Sequence, residues 1–121
     1  MKFFLILLVL ISISSTALAS GESYYHGPIK RVYTHMNGPY AGIVLIKTDE
    51  SYAITDSSEC ATNVSFQYAF DAKTPAGAVT LTIVMTSFIA KLNITLYGTT
   101  QKTCDNFPGI EDLEIVAPYA Y

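Results

Sequence analysis

The chain has no tryptophan, only two histidines and few charged residues, which make up 14% of its 121 residues. A site that uses histidine for catalysis would have to recruit His26 or His35, and neither stands in a known nucleophile or metalloprotease motif. The two cysteines and two histidines also lack the ligand spacing of a zinc site. These scarcities predict a protein that holds no metal or cofactor and is not an enzyme.

Basic residues are scarce as well, since seven Lys and Arg stand against ten Asp and Glu and the formal net charge is −3. Proteins that bind nucleic acid neutralise phosphates with clusters of Lys and Arg. The sequence contains no such run. The charge pattern therefore predicts that nucleic acid is not a partner.

The acidic residues of interest occur in two groups, with Asp56 and Glu59 in one and Glu111, Asp112 and Glu114 in the other. Two carboxylates that meet in space can perform acid–base catalysis. In loops and at strand edges such charges more often stay in water and discourage strand-to-strand aggregation. We favour the second interpretation, so no catalytic residue is predicted.

The N-terminus has the parts of a secretory signal. Lys2 precedes an apolar run over residues 3–13 in which Ser12 is the one polar residue, and residues 17–19 (Ala-Leu-Ala) form a small-x-small cleavage site. The alternative, a membrane anchor, is disfavoured because a spanning helix needs about 20 apolar residues. Residues 1–19 are therefore predicted to be a signal peptide. Its removal would leave one domain over residues 20–121, secreted or periplasmic, with no transmembrane segment.

The two cysteines, Cys60 and Cys104, are predicted to form a disulfide, because an even count in an exported chain favours pairing. The alternative is two free thiols. A bond that closes a loop of about 45 residues would stabilise the fold by about 4 kcal/mol in the chain-entropy model. That is a large share of the stability of a small domain.

Alternating apolar residues bounded by turn signals predict six strands. They cover residues 29–35, 41–48, 51–55, 65–70, 94–97 and 113–116. Residues 24–28 precede the first strand as an arm, in which Pro28 excludes a regular helix. Asn37-Gly38, a preferred pair for tight hairpins, separates the first two strands.

The longest apolar passage after the signal, residues 74–98, fits strand and helix periodicity in different parts. Its length exceeds what a strand in a small domain needs. Thr74 is a good N-cap, and Pro75 suits the first helical turn. We therefore predict a helix over residues 75–92, followed by a strand. Its threonines and Lys91 disfavour a membrane span.

The predicted order β-β-β-β-α-β-β resembles the oligonucleotide/oligosaccharide-binding barrel, or OB fold. With one disulfide and an exported chain, it is similar to the B subunits of bacterial AB5 toxins, in the style of SubB-like and pertussis-like proteins. The resemblance rests on Glu59-Cys60, the helix after Thr74-Pro75, the segment 93–99 (NITLYGT) and Cys104. It implies a mainly β, small antiparallel OB-like barrel with one helix. It also implies homo-oligomeric rings that bind cell-surface glycans, although no sugar-binding motif can be matched residue by residue.

Tyrosine is unusually frequent, with nine residues. A tyrosine offers a flat apolar face and a hydroxyl group, which suits the C–H faces and hydroxyl groups of sugars. The tyrosines and polar neighbours in predicted loops are therefore the candidate ligand-binding residues: Tyr24, Tyr25, His26, Asn37 and Tyr40. The remaining tyrosines of the predicted strands are expected in the core or in cross-strand pairs: Tyr33, Tyr52, Tyr68 and Tyr97.

Asn63 and Asn93 stand in N-glycosylation sequons, which matter only in a eukaryotic secretory pathway. Taken together, the sequence predicts an exported, non-catalytic binding module, a glycan-binding subunit of a homo-oligomer. The alternative is a secreted structural or inhibitor protein that recognises another protein through a loop.

Overall fold

The computed structural model describes residues 22–118, so the predicted signal peptide lies outside the described residues. Five strands and one helix make up the fold. In chain order they are β1 (Tyr24–Thr34), β2 (Ile43–Thr48), β3 (Tyr68–Asp71), α1 (Pro75–Ala90), β4 (Asn93–Gly98) and β5 (Glu111–Pro118).

The five strands close into a barrel in the order β1-β2-β3-β5-β4, and β4 pairs with β1 to complete the ring. Every neighbouring pair is antiparallel except β3 and β5, which run parallel. The helix connects β3 to β4. This strand order and helix position are those of a small OB-like barrel. The predicted fold class, mainly β with one helix and one disulfide, is confirmed.

Strand β1 is longer than predicted, because the arm 24–28 is its first half. Residues 24–28 pair with β4, and the pairing with β2 starts at Ile29, with an irregularity before Arg31. Pro28 lies at this change of partner. A proline without an N–H group is tolerated in a strand at such irregular positions. β1 therefore pairs with β4 through its first half and with β2 through its second half.

The strand predicted over residues 51–55 is wrong. This segment is a largely exposed connection whose backbone pairs with the described sheet only at a bridge between Tyr24 and Thr55, while the Ile54 side chain packs against the barrel core. Both edges of β2 are already paired, with β1 and with β3, so no edge of β2 is left for it. The positive φ of Asp56, 56°, then turns the chain away.

Strand β3 starts at Tyr68 and not at residue 65. The side-chain oxygen of Asn63 accepts hydrogen bonds from the N–H groups of Ser65 and Phe66 at 2.8 and 3.0 Å, which folds the preceding residues into a turn. Hydrogen bonds from backbone N–H groups to this side chain thus replace the bonds of a strand. The alternation of apolar and polar residues does not reveal this competition.

Helix α1 begins as predicted, with Thr74 as N-cap, whose Oγ1 accepts the N–H of Gly77 at 2.9 Å. It ends at Ala90, slightly before the predicted end, because Lys91 adopts the left-handed conformation with φ 57°. The N–H groups of Lys91 and Leu92 donate to the carbonyls of Phe88 and Ser87 and close the last turn.

Two apolar clusters divide the core. One fills the barrel and meets α1; its buried members are Tyr25, Ile29, Val44, Ile46, Tyr68, Phe70, Val84, Ile94 and Leu96. The other lies on the opposite face of β2 and β3 and contains Ile43, Leu45, Ala69 and Ile110. Successive residues of β2 alternate between the clusters, as the period of a strand requires. Both faces of β2 are therefore buried, which fits the continuous apolar run of residues 43–46.

Candidate functional site

The outer face of β1, β2 and β3 is partly covered by aromatic side chains. Tyr33 is the register partner of Leu45, and Leu45 is the partner of Ala69, so the three residues form a row across the sheet. Leu45 and Ala69 are buried, whereas Tyr33 is 52% exposed. The outer face of the sheet is therefore apolar at Leu45 and Ala69, and the ring of Tyr33 beside them is half exposed to solvent.

Five aromatic rings form a continuous group on this outer face of the sheet. We call this group the aromatic surface, and its members are Tyr33, His35, Tyr40, Phe66 and Phe107. Ring centroids of Tyr33 and His35 lie 5.2 Å apart, and those of Tyr40 and Phe107 lie 4.7 Å apart. His35 stacks on Phe107 at 5.3 Å with 28° between the planes. These separations are within the range of favourable aromatic pairs.

His35 lies near the middle of the aromatic surface, and its orientation is fixed. Its Nδ1 lies 3.0 Å from the carbonyl oxygen of Ile43. A carbonyl only accepts, so Nδ1 carries the proton and donates it. The backbone N–H of His35 donates to the same carbonyl at 3.1 Å. The Nε2 atom of the neutral ring is left with a lone pair that can accept a hydrogen bond.

The β1–β2 connection, residues 35–42, brings Tyr40 onto the aromatic surface. Its ends are tied by a hydrogen bond from Gly42 N–H to the carbonyl of His35 at 2.9 Å. Lys73 donates to the carbonyl of Ala41 at 2.9 Å and pairs with the Asp71 carboxylate at 3.1 Å. The pKa of Asp71 is lowered mainly by a hydrogen bond from the backbone N–H of Lys73 and also by the bond from the Lys73 side chain.

The β4–β5 connection, residues 99–110, contributes Phe107 and is held by the buried carboxylate of Asp112. Asp112 accepts hydrogen bonds from the Thr103 hydroxyl and from the N–H groups of Asp105 and Asn106. A carboxylate that accepts several such bonds is well satisfied without a cation. Phe107 follows directly after these anchored residues.

The predicted disulfide between Cys60 and Cys104 is present. It joins the β2–β3 connection, residues 49–67, to the β4–β5 connection. The first of these carries Phe66 and the second carries Phe107, so the bond ties together two of the segments that build the aromatic surface.

Two of the five predicted ligand-binding residues, Tyr40 and Asn37, lie in the connection that contributes to the aromatic surface. Tyr40 is part of it, and Asn37 is exposed in the same β1–β2 connection. Met36 beside Asn37 is 87% exposed, and Val64 near Phe66 is 86% exposed. Flat rings, an amide group and exposed apolar side chains are therefore presented by neighbouring segments.

The other three predicted residues, Tyr24, Tyr25 and His26, lie in β1 and not in a loop. Tyr25 is fully buried, so its prediction as a surface ligand is wrong: its hydroxyl bonds the carbonyl of Pro28 and the N–H of Asp49 inside the fold. Tyr24 stays 39% exposed against Tyr97, and His26 Nδ1 lies 2.9 Å from the Thr95 hydroxyl. These groups lie on the β1–β4 side.

Sequence reasoning missed Tyr33, His35, Phe66 and Phe107 as members of a site. The two-residue spacing of Tyr33 and His35 places both on one strand face, and that signal was available. No local signal joins them to Phe66 or Phe107, because the two connections meet only in the folded chain.

Glu111 and Asp112 correct a second expectation, since they are not solvated edge charges. Glu111 is 1% exposed and Asp112 is 6% exposed. Glu111 accepts hydrogen bonds from the Ser23 hydroxyl at 2.6 Å and from Ser58 N–H at 3.0 Å. Both carboxylates anchor connections. Glu114, by contrast, is exposed, as expected.

The two sequon asparagines lie in different surroundings. Asn63 uses its side-chain oxygen in the turn before β3, and Asn93 is the first residue of β4, in register with Pro28. Their modification remains a prediction.

A separate cleft of about 510 Å³ lies between β1 and the C-terminal end of α1. Pro28, Ile29, Phe88 and Ile89 provide its apolar walls, and Lys30 is already paired with Glu50 at 2.9 Å. Lys91 and Asp49 offset each other in charge. The cleft therefore favours no ligand of a particular charge.

Within residues 22–118, no helix has the length and hydrophobicity that crossing a membrane requires. Across the same residues, no three His, Cys, Asp or Glu side chains come together in a way that would hold a metal ion. Comparison with family models, with curated proteins and with solved structures found no match to this chain. The strand order and the aromatic surface are therefore the features of the molecule that bear on its function.

Proposed function

We propose that the protein is an exported, non-catalytic binding module that recognises a glycan on its aromatic surface. The observation that carries the proposal is the contiguous group of five rings over the outer face of β2 and β3. In OB barrels, this face and the β1–β2 and β4–β5 connections are where oligonucleotides and oligosaccharides bind. Here those two connections supply Asn37, Tyr40 and Phe107.

A sugar suits this surface better than a nucleic acid. Single-stranded nucleic acid needs a positively charged groove as well as stacking rings. On the outer face Arg31 and Lys47 are register partners, but Lys47 is paired with Glu50 at 3.0 Å and the whole chain is acidic. A neutral ring with apolar C–H faces and hydroxyl groups requires no such charge and can use Tyr33, His35 Nε2 and Asn37.

Export is part of the proposal. The predicted signal over residues 1–19 would direct the chain out of the cytosol, and the bond between Cys60 and Cys104 is of the kind that persists in oxidising compartments. The resemblance to toxin B subunits belongs here as well, as a proposal that the domain delivers or anchors a partner at a glycan-bearing surface.

Self-association is the second part of the proposal, with the outer face of α1 as the contact between two copies. The helix contains no charged residue over its 16 positions, and Val79 and Ile89 are 61% and 72% exposed. The hydroxyl groups of Thr80, Thr82 and Thr86 bond carbonyls one turn earlier, so their donors are satisfied within the helix. Two identical uncharged faces meet without like-charge repulsion.

The glycan proposal is tested on a glycan array with the oxidised domain and two tyrosine variants. Tyr33→Ala is expected to weaken binding by about tenfold, because a ring contact contributes about 0.5–1.5 kcal/mol beyond burial and about 1.4 kcal/mol is a factor of ten. Tyr24→Ala is the matched control on the β1–β4 side and should retain wild-type binding. The proposal is wrong if no glycan is retained, or if only Tyr24→Ala loses binding.

The self-association proposal is tested by light scattering with an interface variant. Ile89→Glu should convert a multimer to a monomer, because pairing would bury its charge without a partner. Val64→Glu, at a residue that is 86% exposed in the β2–β3 connection, should leave the multimer intact. A wild-type domain that is monomeric at high concentration would contradict the self-association proposal and would leave the glycan proposal unaffected.

A second candidate function is recognition of a protein through the same surface, as a structural or inhibitor protein would perform. It is favoured by the exposure of Met36 beside the aromatic rings, since methionine and aromatic side chains are enriched in protein interfaces. A bound partner that stays bound after enzymatic removal of its glycans would favour this function over the first.

A further inference from the structure

The β1–β2 connection contains a pair of residues with an intrinsic reactivity that the binding function does not use. Asn37 is the only one of the four asparagines in the sequence that is followed by glycine. Both residues are exposed, and a Cβ at Gly38 would meet nothing within 4 Å. Asn37 is therefore open to solvent, and the side of Gly38 that a side chain would occupy is unobstructed.

The backbone nitrogen of Gly38 is also uncommitted. Among the described residues its N–H group donates no hydrogen bond, whereas the Gly38 carbonyl accepts from Ala41 N–H at 3.1 Å. Glycine has no side chain to obstruct approach to the preceding residue, and its backbone takes conformations that other residues avoid. Gly38 itself has φ 83°.

We propose that Asn37 is a self-modifying site that deamidates in the folded protein and adds a carboxylate to the edge of the aromatic surface. The Gly38 nitrogen loses its proton and attacks the side-chain carbonyl carbon of Asn37. The new C–N bond closes a succinimide ring, while the bond from that carbon to Nδ2 breaks and ammonia leaves. Water then opens the ring, giving aspartate or isoaspartate, and no oxidant or cofactor is needed.

The other three asparagines provide internal controls because each is held or obstructed. Asn63 binds two N–H groups and precedes Val64, whose branched Cβ crowds the backbone. Asn93 is paired in β4 and precedes Ile94. The Asn106 side chain lies 3.5 Å from the carbonyl of Ala69 and precedes Phe107.

The position of Asn37 gives the reaction a consequence at the aromatic surface. Two residues before it lies His35, which stacks on Phe107 and bonds the carbonyl of Ile43. The product carries a negative charge in a connection that has none. Isoaspartate also lengthens the backbone inside the segment whose ends are tied by the hydrogen bond from Gly42 N–H to the His35 carbonyl. Modified protein would therefore present a more acidic and displaced binding edge.

The test is a time course of the folded, oxidised protein at mildly alkaline pH, with proteolytic mapping by mass spectrometry. Deamidation at Asn37 is expected to be many times faster than at Asn63, Asn93 or Asn106. An Asn37→Gln variant, in which ring closure needs a larger ring, should lose the early acidic form seen on anion exchange.

Equal rates at all four asparagines would overturn the proposal, and so would an intact Asn37 after the others have reacted. The denatured chain separates sequence from structure. If Asn37 reacts when unfolded but is protected when folded, the native connection does not permit the reaction and the proposal fails. None of these outcomes depends on whether a glycan binds.

Discussion

At the scale of single residues, the main polar feature of the interior is a series of hydrogen bonds between buried side chains, from Tyr68 through Ser23 to Glu111. Ser23 donates its only hydroxyl proton to Glu111, so the Tyr68 hydroxyl, 2.9 Å from Ser23, must be the donor in that pair. All three residues are at most 1% exposed. A Cβ at Gly98 would overlap the Glu111 carboxylate, so glycine is required there.

The Tyr68 hydroxyl predicts a loss of stability at high pH. Burial raises its pKa above the ordinary value of 10.0. A tyrosine with a raised folded-state pKa contributes stability that is fully present below the unfolded-state pKa and is lost as pH rises above it. The free energy of unfolding should therefore fall above about pH 10.

Denaturant melts across this alkaline range check the effect with Tyr68→Phe. The variant should lose about 1 kcal/mol at neutral pH, from the missing hydrogen bond, and show a shallower decline at high pH. Part of the decline should persist, because burial also raises the pKa of Tyr25. Tyr33→Phe, at an exposed site, should follow the wild type; an unchanged decline in Tyr68→Phe would contradict the assignment.

At the scale of elements, the position of α1 depends on Gly77. A Cβ at this position would overlap the carbonyl oxygen of Asp71, at the end of β3. The first turn of the helix therefore lies directly against the strand that precedes it. This contact fixes the direction in which α1 crosses to β4.

Gly77→Ala is expected to destabilise the domain, although alanine is the better helix former by about 1 kcal/mol. Displacing backbone to make room costs about 1–3 kcal/mol, so the steric term outweighs the propensity. The matched change at the next, exposed position, Ala78→Gly, should cost about 1 kcal/mol through propensity alone. A Gly77→Ala variant with a higher urea midpoint than the wild type would show that the contact is not close.

Elements marked by local chemistry were predictable from the sequence. Thr74-Pro75 marks the start of α1, and the apolar run of β2 shows that both its faces are covered. The changes of partner along β1 were not predictable, because they depend on β4, which follows far along the chain. The same holds for the burial of Glu111 and Asp112, whose partners come from other connections.

At the scale of the whole molecule, the disulfide compensates for a small core. The bond between Cys60 and Cys104 closes a loop with a sequence separation of 44. It crosses from the β2–β3 connection to the β4–β5 connection, which no strand pairing links directly. The barrel and the aromatic surface are therefore stabilised by one covalent tie.

Replacing both cysteines with serine should lower the free energy of unfolding by about 4 kcal/mol, through the larger entropy of the unfolded chain. Urea melts of the oxidised protein and the double variant measure the difference directly, if the slope with denaturant is also compared. Equal midpoints would mean that the tie contributes nothing to the barrel.

The central claim is that a glycan binds over the outer face of β2 and β3, and a titration followed by two-dimensional NMR tests it most directly. Glycans retained on the array are added to the oxidised domain, and the residues whose signals shift are identified. The prediction is a contiguous set of shifts at Tyr33, His35, Tyr40, Phe66 and Phe107. Shifts confined to Tyr24 and Tyr97 on the β1–β4 side, or no shifts at saturating glycan, would contradict it.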